Sequence, residues 1–279
     1  MITLARPSSR ISGRVAPAPP GQGSRQTPKR TLILAHRGAS AEAPENTLAA
    51  FDLALRHGAD GIEMDVRLSA DGVPVVIHDA RLERTTGGKG RVDALSSREL
   101  RRLDAGSWFN ERYPARARGR FRGLKVPLLV EALTLVKSRG CTAYVELKRE
   151  RDADAGFEEK VLKAIHTAGA AGNVVVISFQ PEIVARMREL YDGIALGLDC
   201  TRALPAIRRA QEAGARVVLP LGALVSSQFV RRAHEQGLQV APWGAETPRA
   251  WRRLLACGVD ALITNRPAAL RRLIDSESR

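Results

Sequence analysis

Long apolar runs and cysteine pairs are both missing from this sequence. No stretch of about 18 consecutive apolar residues occurs, and a membrane-spanning helix needs about that length. The three cysteines are odd in number and far apart, and they form neither a CxxC pair nor the spacing of a metal site: Cys141, Cys200 and Cys257. The lack of a long apolar run excludes a membrane span. The cysteine usage suits a reducing compartment, so we expect a cytoplasmic protein.

Acidic residues are missing from the first 30 positions, although six basic residues lie there. The same segment holds five of the 15 prolines, has no apolar periodicity, and lacks the apolar stretch of a secretory signal. Such a segment buries too little apolar surface to fold. We therefore expect a disordered basic arm over residues 1–30, no export, and a single domain over residues 31–275.

The formal net charge is +14, and after the arm much of the excess lies in arginine pairs such as Arg208–Arg209, Arg231–Arg232 and Arg252–Arg253. Aromatic residues make up only 4% of the chain, and none is interleaved with these pairs. Single-stranded nucleic acid is usually bound by stacking on aromatic rings. We therefore interpret the pairs as solvated helix faces and expect no nucleic-acid partner. Binding of nucleic acid or an anionic membrane through the arm is the alternative from another functional class.

Beyond residue 31, eight short β-branched runs alternate with helical segments. The runs are Thr31–Ala35, Gly61–Val66, Thr142–Leu147, Val174–Ser178, Ile194–Leu198, Val217–Leu221, Gln239–Pro242 and Ala261–Thr264. Strands that alternate with single helices predict a parallel sheet. Eight such units in 279 residues predict an α/β fold, a (β/α)8 TIM barrel with its active site at the carboxyl ends of the strands.

Polar residues or proline precede the helical segments, and glycine often follows them. Asn46 is expected to cap a helix that stops at Gly58. Pro181, Ser227 and Thr247, the last followed by proline, are expected to open three later helices.

One further apolar run, Val73–His78, does not fit the eight units. The five residues before it are too few for a parallel crossover, whereas Asp71-Gly72 is a good hairpin turn. We predict that this run folds back from the barrel mouth and begins an insertion over about residues 68–126. Insertions at this face commonly build the substrate pocket of a barrel.

Two predicted strands carry acidic residues at their ends. Glu63 and Asp65 are two residues apart and so share a face, and Glu146 and Lys148 repeat the spacing. Three carboxylates at one barrel mouth repel one another unless a cation lies among them, and oxygen ligands suit Mg²⁺ or Ca²⁺. The alternative is a set of solvated strand-end acids in salt bridges.

Two of the five histidines terminate predicted strands. His36 is followed by Arg37, and His78 is followed by Asp79. Two histidines beside the acids and the cations suggest an acid/base pair that flanks a phosphate. The other three lie near the ends of predicted helices, where the helix dipole suits a cation, and we interpret them as structural: His57, His166 and His234.

An ordered series of motifs resembles the glycerophosphodiester phosphodiesterase family over residues 32 to about 270. The motifs are Leu34-Ala35-His36-Arg37-Gly38, Pro44-Glu45-Asn46-Thr47, Ile62-Glu63-Met64-Asp65-Val66, Val76-Ile77-His78-Asp79, Arg84-Thr85-Thr86, Val145-Glu146-Leu147-Lys148, Ser178-Phe179 and Trp243. Each motif is weak alone, but their order makes the resemblance specific.

The resemblance implies metal-dependent hydrolysis of glycerophosphodiesters, such as glycerophosphocholine or glycerophosphoethanolamine, to sn-glycerol 3-phosphate and an alcohol. It implies that Glu63, Asp65 and Glu146 hold a divalent cation, Mg²⁺ or Ca²⁺. By the same resemblance, the site residues that bind the phosphate are Arg37 and Lys148, and the acid and base, in an order left open, are His36 and His78.

Four further residues receive looser assignments from the resemblance. Glu45 looks like a metal-site or supporting residue, and the role of Asn46 is explained equally well by capping. Phe179 and Trp243 are candidates to line the glycerol pocket, although barrel packing explains Phe179 nearly as well.

The chain departs from the family pattern at two places. Trp243-Gly244-Ala245-Glu246 stands where Trp-Thr-Val-Asn is usual, and Thr264-Asn265-Arg266-Pro267 stands where Thr-Asp-x-Pro is common. Neither place contains a proposed metal ligand or histidine. The departures therefore concern the choice of leaving alcohol rather than the reaction.

A lysophospholipase D or a sphingomyelinase D-like phosphodiesterase is the alternative enzyme. Either would act on lipids and would need a large apolar surface near the barrel mouth. The insertion offers only four aromatic residues among many arginines, namely Trp108, Phe109, Tyr113 and Phe121. We therefore expect a small soluble diester as the substrate. The sequence does not indicate an oligomeric state.

Overall fold

The computed structural model describes residues 30–117, 120–149, 156–202 and 205–277. The predicted arm lies outside these residues except for its last position. The strands are β1 (Leu32–His36), β2 (Gly61–Leu68), β3 (Pro74–Val76), β4 (Thr142–Leu147), β5 (Val174–Ser178), β6 (Ala195–Cys200), β7 (Val217–Pro220), β8 (Gln239–Val240) and β9 (Ala261–Thr264).

Eight of these strands form one parallel sheet in the order β8-β7-β6-β5-β4-β2-β1-β9. The two ends of this order meet, because the Asp260 and Ile263 amides donate hydrogen bonds of 2.9 and 3.0 Å to the Val240 and Pro242 carbonyls. The sheet therefore curves into a nearly closed barrel. The predicted α/β barrel of eight parallel strands is confirmed.

Within the described ranges, eight helices cover the outside of the barrel, and three short helices lie within the insertion. The helices are α1 (Leu48–Arg56), α2 (Ser97–Leu100), α3 (Ser107–Arg112), α4 (Pro114–Ala117), α5 (Leu129–Ser138), α6 (Phe157–Thr167), α7 (Pro181–Leu190), α8 (Ala206–Glu212), α9 (Ser227–Glu235), α10 (Pro248–Ala256) and α11 (Pro267–Glu277).

Apolar side chains on the outer helices and on the outward face of the strands form the main core. Phe51, Leu133, Phe157, Met187 and Trp251 are each at most 1% exposed there. The opposite faces of the strands fill the barrel interior with a second, smaller cluster, because successive side chains on a strand alternate between faces. This alternation also carries the polar residues at the strand ends into the barrel mouth.

The predicted hairpin is present, since β3 pairs antiparallel with β2 and places Val66 opposite Val76. Gly72 has a φ of +72° in the turn, a left-handed conformation that glycine adopts without steric cost. After β3 the insertion builds its own small core from residues such as Leu82, Leu100 and Val126. The hairpin therefore positions the segment after β3 beside the barrel mouth.

The predicted cap of the first helix is wrong. Thr47, not Asn46, is the N-cap of α1, and its hydroxyl accepts a hydrogen bond of 3.2 Å from the Ala50 amide. Asn46 has a φ of +56° and directs its side chain to Asp65 instead. Pro181, Ser227 and Pro248 are the first residues of α7, α9 and α10, as expected.

Candidate active site

Three carboxylates meet at the ends of β2 and β4. Glu63 and Asp65 are two residues apart on β2 and therefore share its inward face. The sheet register pairs Asp65 with Glu146 of β4. The three side chains are at most 8% exposed, and one ligand atom from each lies within 4.8 Å of the others. The oxygen atoms therefore form a compact, buried group of the kind that hard cations bind.

Burial and mutual repulsion set the charges of these acids. Burial, together with the charge of Asp65, raises the pKa of Glu63 to about 8 and that of Glu146 to about 8. Burial would also raise the pKa of Asp65, but Arg37 and Lys148 outweigh it and lower that pKa. A divalent cation among the oxygens would favour the ionised form of all three groups.

Arg37 follows β1 and adopts a φ of +55°, which turns it toward the acids. Its amide donates a hydrogen bond of 3.0 Å to Glu63 Oε2, and its Nε lies 3.2 Å from Asp65 Oδ2. A terminal guanidinium nitrogen also donates to Glu45 Oε1 at 2.9 Å. Burial lowers the pKa of Arg37, but the three carboxylates outweigh this effect and raise it.

Lys148 lies just beyond β4 on the opposite side of Asp65. Its Nζ donates a hydrogen bond of 2.7 Å to Glu146 Oε1 and lies 3.2 Å from Asp65 Oδ1. The second contact lacks hydrogen-bond geometry, and Asp65 Oδ1 makes no hydrogen bond to any described residue. Burial lowers the pKa of Lys148, but the carboxylates raise it overall. The site therefore contains two fixed cations, Arg37 and Lys148.

His36 ends β1 and faces both the acids and the loop after β9. Its Nδ1 lies 2.8 Å from Asn265 Oδ1, and its Nε2 lies 3.8 Å from Glu63 Oε2. Because an amide oxygen only accepts hydrogen bonds, Nδ1 carries the proton in this contact. Burial, helped by Arg37, lowers the pKa of His36. The neutral ring therefore presents an unprotonated Nε2.

His78 follows β3 and has a different partner. Its Nδ1 lies 2.6 Å from a carboxylate oxygen of Asp79, which also pairs with Arg84. Burial lowers the pKa of His78, whereas Asp65 and Asp79 raise it in part. Burial would raise the pKa of Asp79, but hydrogen bonds from Arg84 and His78 lower it to about 2. A negatively charged Asp79 therefore supports a proton on His78.

Glu45 and Asn46 hold these groups in place. The Glu45 carboxylate bridges Arg37 and Arg84, with hydrogen bonds of 2.9 and 2.7 Å. Asn46 donates a hydrogen bond of 2.7 Å to Asp65 Oδ2 and accepts a longer one from the Asp65 amide. Both side chains therefore contact residues of the acid and cation cluster.

A cavity of about 160 Å³ opens over this group. It is lined by His36, Arg37, Glu63, His78, Glu146, Lys148, Ile177, Phe179, Asp199, Trp243 and Ile263. Phe179 is 39% exposed and meets Trp243 edge to face, with ring centroids 5.9 Å apart. A larger cavity of about 500 Å³ between α8 and α9 lies on the outer helices and contains none of the predicted site residues.

Residues 36–269 match the sequence profile of the glycerophosphoryl diester phosphodiesterase family. The chain belongs to this family. A glycerophosphodiester phosphodiesterase of Caldanaerobacter subterraneus subsp. tengcongensis is 33% identical over 247 residues, which cover 88% of this chain and 98% of that protein. One of Bacillus subtilis is 33% identical over 88% of this chain and 87% of its own length.

Solved structures of the family have the same fold. A glycerophosphodiester phosphodiesterase from Agrobacterium tumefaciens is 32% identical, with a TM-score of 0.74 over 86% of this chain and 99% of its own. A phosphodiesterase from Oleispira antarctica, solved with the product sn-glycerol-3-phosphate, is 27% identical, with a TM-score of 0.80 over 88% and 96% of the two chains. The predicted family membership and enzyme class are confirmed.

Sequence reasoning missed two contributors to the mouth of this family barrel. It predicted a strand over Ile194–Leu198, whereas β6 continues to Cys200 and carries Asp199 into the cavity. It also treated Asn265 only as a departure from the family pattern, whereas the structure sets Asn265 against His36. Residues two apart on a strand share a face, so Asp199 lies on the same face as Gly197 once the strand is extended. That alternation was the available signal for Asp199.

The two departures from the family pattern meet at one place. The Asn265 amide donates to Glu246 Oε1 at 3.0 Å, and the Thr264 hydroxyl donates to Glu246 Oε2 at 2.9 Å. Glu246 therefore holds the backbone of the residue whose side chain contacts His36.

Among the ranges that the structure describes, no helix is long and apolar enough to cross a membrane.

Proposed function

We propose that this enzyme hydrolyses glycerophosphodiesters such as glycerophosphocholine and glycerophosphoethanolamine to sn-glycerol 3-phosphate and an alcohol, with a divalent cation. The observation that carries the proposal is the buried triad of Glu63, Asp65 and Glu146, which shares one cavity mouth with two cations and two histidines. The names of the two relatives and the product bound to the Oleispira antarctica protein support this substrate class.

Glu63, Asp65 and Glu146 would hold the cation, which we propose to be Mg²⁺ or Ca²⁺. Their donor set consists of carboxylate oxygens, and Asp65 Oδ1 is buried without a hydrogen bond to any described residue. Both features fit a hard divalent ion. When bound, such an ion neutralises phosphoryl charge and lowers the pKa of a coordinated hydroxyl.

Arg37 and Lys148 would bind the phosphodiester. Both line the cavity and remain cationic because the neighbouring carboxylates raise their pKa values. Fixed positive groups beside the phosphate stabilise the charge that grows on its oxygens during the reaction. Their ion pairs with Asp65 and Glu146 hold them in place before the substrate binds.

His36 would act as the base and His78 as the acid. The neutral His36 ring donates from Nδ1 to Asn265 and leaves Nε2 free to take a proton from the attacking oxygen. His78 donates from Nδ1 to the Asp79 carboxylate, which counteracts the lowering of the His78 pKa by burial and so supports a protonated ring. The Nε2 proton of that ring would pass to the leaving oxygen. Both histidines line the cavity, so each is placed to reach a substrate there.

Phe179 and Trp243 would line the pocket for the glycerol moiety.

Packing within the insertion favours a small diester over a lipid. Phe109 and Phe121 are 0% and 8% exposed and pack against each other. Only Phe179 of the large hydrophobic residues around the described cavity is exposed. A lysophospholipase D or sphingomyelinase D-like enzyme would need a broader apolar surface there.

Parallel assays of glycerophosphocholine and lysophosphatidylcholine test the proposal. Release of sn-glycerol 3-phosphate is followed for the first substrate, and release of choline is followed for both. We expect turnover of glycerophosphocholine with both products and little turnover of the lipid. Faster choline release from lysophosphatidylcholine would overturn the proposed substrate class.

A further inference from the structure

Asp199 is a buried acid that the proposed mechanism does not use. It lies at the end of β6, opposite Leu219 of β7, and is 6% exposed. Its Oδ2 atom is fully buried and makes no hydrogen bond to any residue that the structure describes. The side chain lines the same cavity as His36 and His78.

A buried carboxyl oxygen without a hydrogen-bond partner costs folding free energy at this place. Buried polar groups usually have a hydrogen-bond partner, and a buried charge needs a counter-charge. The groups that act on Asp199 are mainly negative, because Glu146, Glu63 and Asp65 repel its charge and only Lys148 attracts it. A purely structural role for Asp199 would therefore leave its burial unexplained.

Asp199 is also separate from the metal triad. The group of ligand atoms within 4.8 Å of one another comprises Glu63, Asp65 and Glu146, without Asp199. A fourth acid on the cavity wall is therefore available to the organic part of the substrate. Its position on a strand end makes the side chain a rigid contact rather than a mobile one.

We propose that Asp199 binds the terminal hydroxyl of the glycerol moiety and so selects polyol diesters, an inference that rests on the proposed function. A hydroxyl both donates and accepts hydrogen bonds, so it pairs with a carboxyl in either protonation state.

Two diesters that differ by one hydroxyl test this assignment. The p-nitrophenyl phosphodiesters of glycerol and of 1,2-propanediol both keep the hydroxyl next to the phosphoester, but only the glycerol diester has the terminal one. The wild-type enzyme should favour the glycerol diester in kcat/KM by about 10-fold to 100-fold, the effect of one buried hydrogen bond to a polar or charged group. Asp199→Leu should bring this ratio close to one.

Asp199→Asn is the matched control, since it keeps the shape and a hydrogen-bonding oxygen. It should retain most of the preference for glycerol. An unchanged ratio in Asp199→Leu would overturn the assignment, and so would an equal ratio for the two diesters in the wild-type enzyme. Mn²⁺ binding, measured by calorimetry, should be the same in both variants, whereas loss of binding would assign Asp199 to the metal site instead.

Product binding separates this inference from the proposed function. If the wild-type enzyme hydrolyses neither these diesters nor glycerophosphocholine, the proposed function fails. The affinities for sn-glycerol 3-phosphate and 1,2-propanediol 1-phosphate are then compared with Mg²⁺ present. Tighter binding of the glycerol compound by wild type but not by Asp199→Leu would support Asp199 as a hydroxyl-binding residue. Equal affinities in wild type would overturn it.

Discussion

The two candidate catalytic histidines have chemically different partners. Asn265 offers His36 a neutral amide oxygen at 2.8 Å, whereas Asp79 offers His78 a carboxylate oxygen at 2.6 Å. A carboxylate stabilises an imidazolium far better than an amide does. This asymmetry supports our proposal that His78 donates a proton and His36 accepts one.

Substitution of each histidine by alanine should separate these roles by substrate. His78→Ala should lose about 10²-fold to 10⁴-fold in kcat on glycerophosphocholine, because choline leaves as a poorly stabilised alkoxide. It should recover much of this loss on the p-nitrophenyl diester of glycerol, whose leaving group needs no proton. His36→Ala should be poor on both substrates. Equal impairment of both variants on both substrates would contradict divided roles.

The buried acids make the stability of the chelated protein depend on pH. Folding raises the pKa of Glu63 and Glu146 from 4.5 to about 8. Their neutral forms therefore support the fold below about pH 4.5, and this contribution is lost as the pH rises toward 8. The melting temperature in EDTA should fall over that window relative to Glu63→Gln, which has one fewer ionisable acid.

Saturating Mg²⁺ should remove most of this pH dependence, because the ion stabilises the ionised carboxylates. Thermal melts at several pH values, with EDTA and with Mg²⁺, measure both effects. Identical pH profiles for the wild-type protein and Glu63→Gln in EDTA would show that Glu63 ionises normally in the fold.

At the scale of elements, an ion-pair chain connects the segment after β3 to the end of β1. Arg84 contacts both Asp79 and Glu45, and Glu45 contacts Arg37. The chain of contacts therefore links the partner of His78 to a phosphate-binding candidate. Arg37 and Glu45 are largely buried, whereas Arg84 is exposed, so the attraction is strongest at the inner pair.

Arg84→Ala should lower kcat by about tenfold, because it releases both Asp79 and Glu45 from their partner. Arg81→Ala is the matched control on the same segment. Among the described ion pairs, Arg81 takes part only in the one with the exposed Glu83. Exposed pairs of this kind contribute little to stability. Steady-state kinetics on glycerophosphocholine should distinguish the two variants. Equal rates would show that the chain of ion pairs does not position the site.

The order of elements was predictable from local patterns, but their contacts were not. Proline and glycine at the helix ends and alternation along the strands indicated the barrel. Local chemistry did not distinguish Asn46 from Thr47 as a cap, because both residue types suit that position. The contact of Asn46 with Asp65, 19 residues away, decided the outcome. His36 and Asn265 are separated by 229 residues, and only the closed barrel joins them.

At the scale of the whole molecule, barrel closure concentrates charge at one end. Strand β9 pairs with β1, which brings the loop after β9 to the end of β1 and so next to β2. The acids of β2 and β4, the cations beside them and both histidines then share one mouth. The position of this cluster was predictable because parallel strands end at the same face of a barrel.

Metal dependence is the central claim, and chelation tests it most directly. Release of sn-glycerol 3-phosphate from glycerophosphocholine should stop in excess EDTA and return with Mg²⁺, Ca²⁺ or Mn²⁺. Glu63→Gln, which removes one charge at nearly constant shape, should stay folded and remain nearly inactive with any of these ions. Full activity of the wild-type enzyme in excess EDTA would contradict the assignment of Glu63, Asp65 and Glu146 as the metal site.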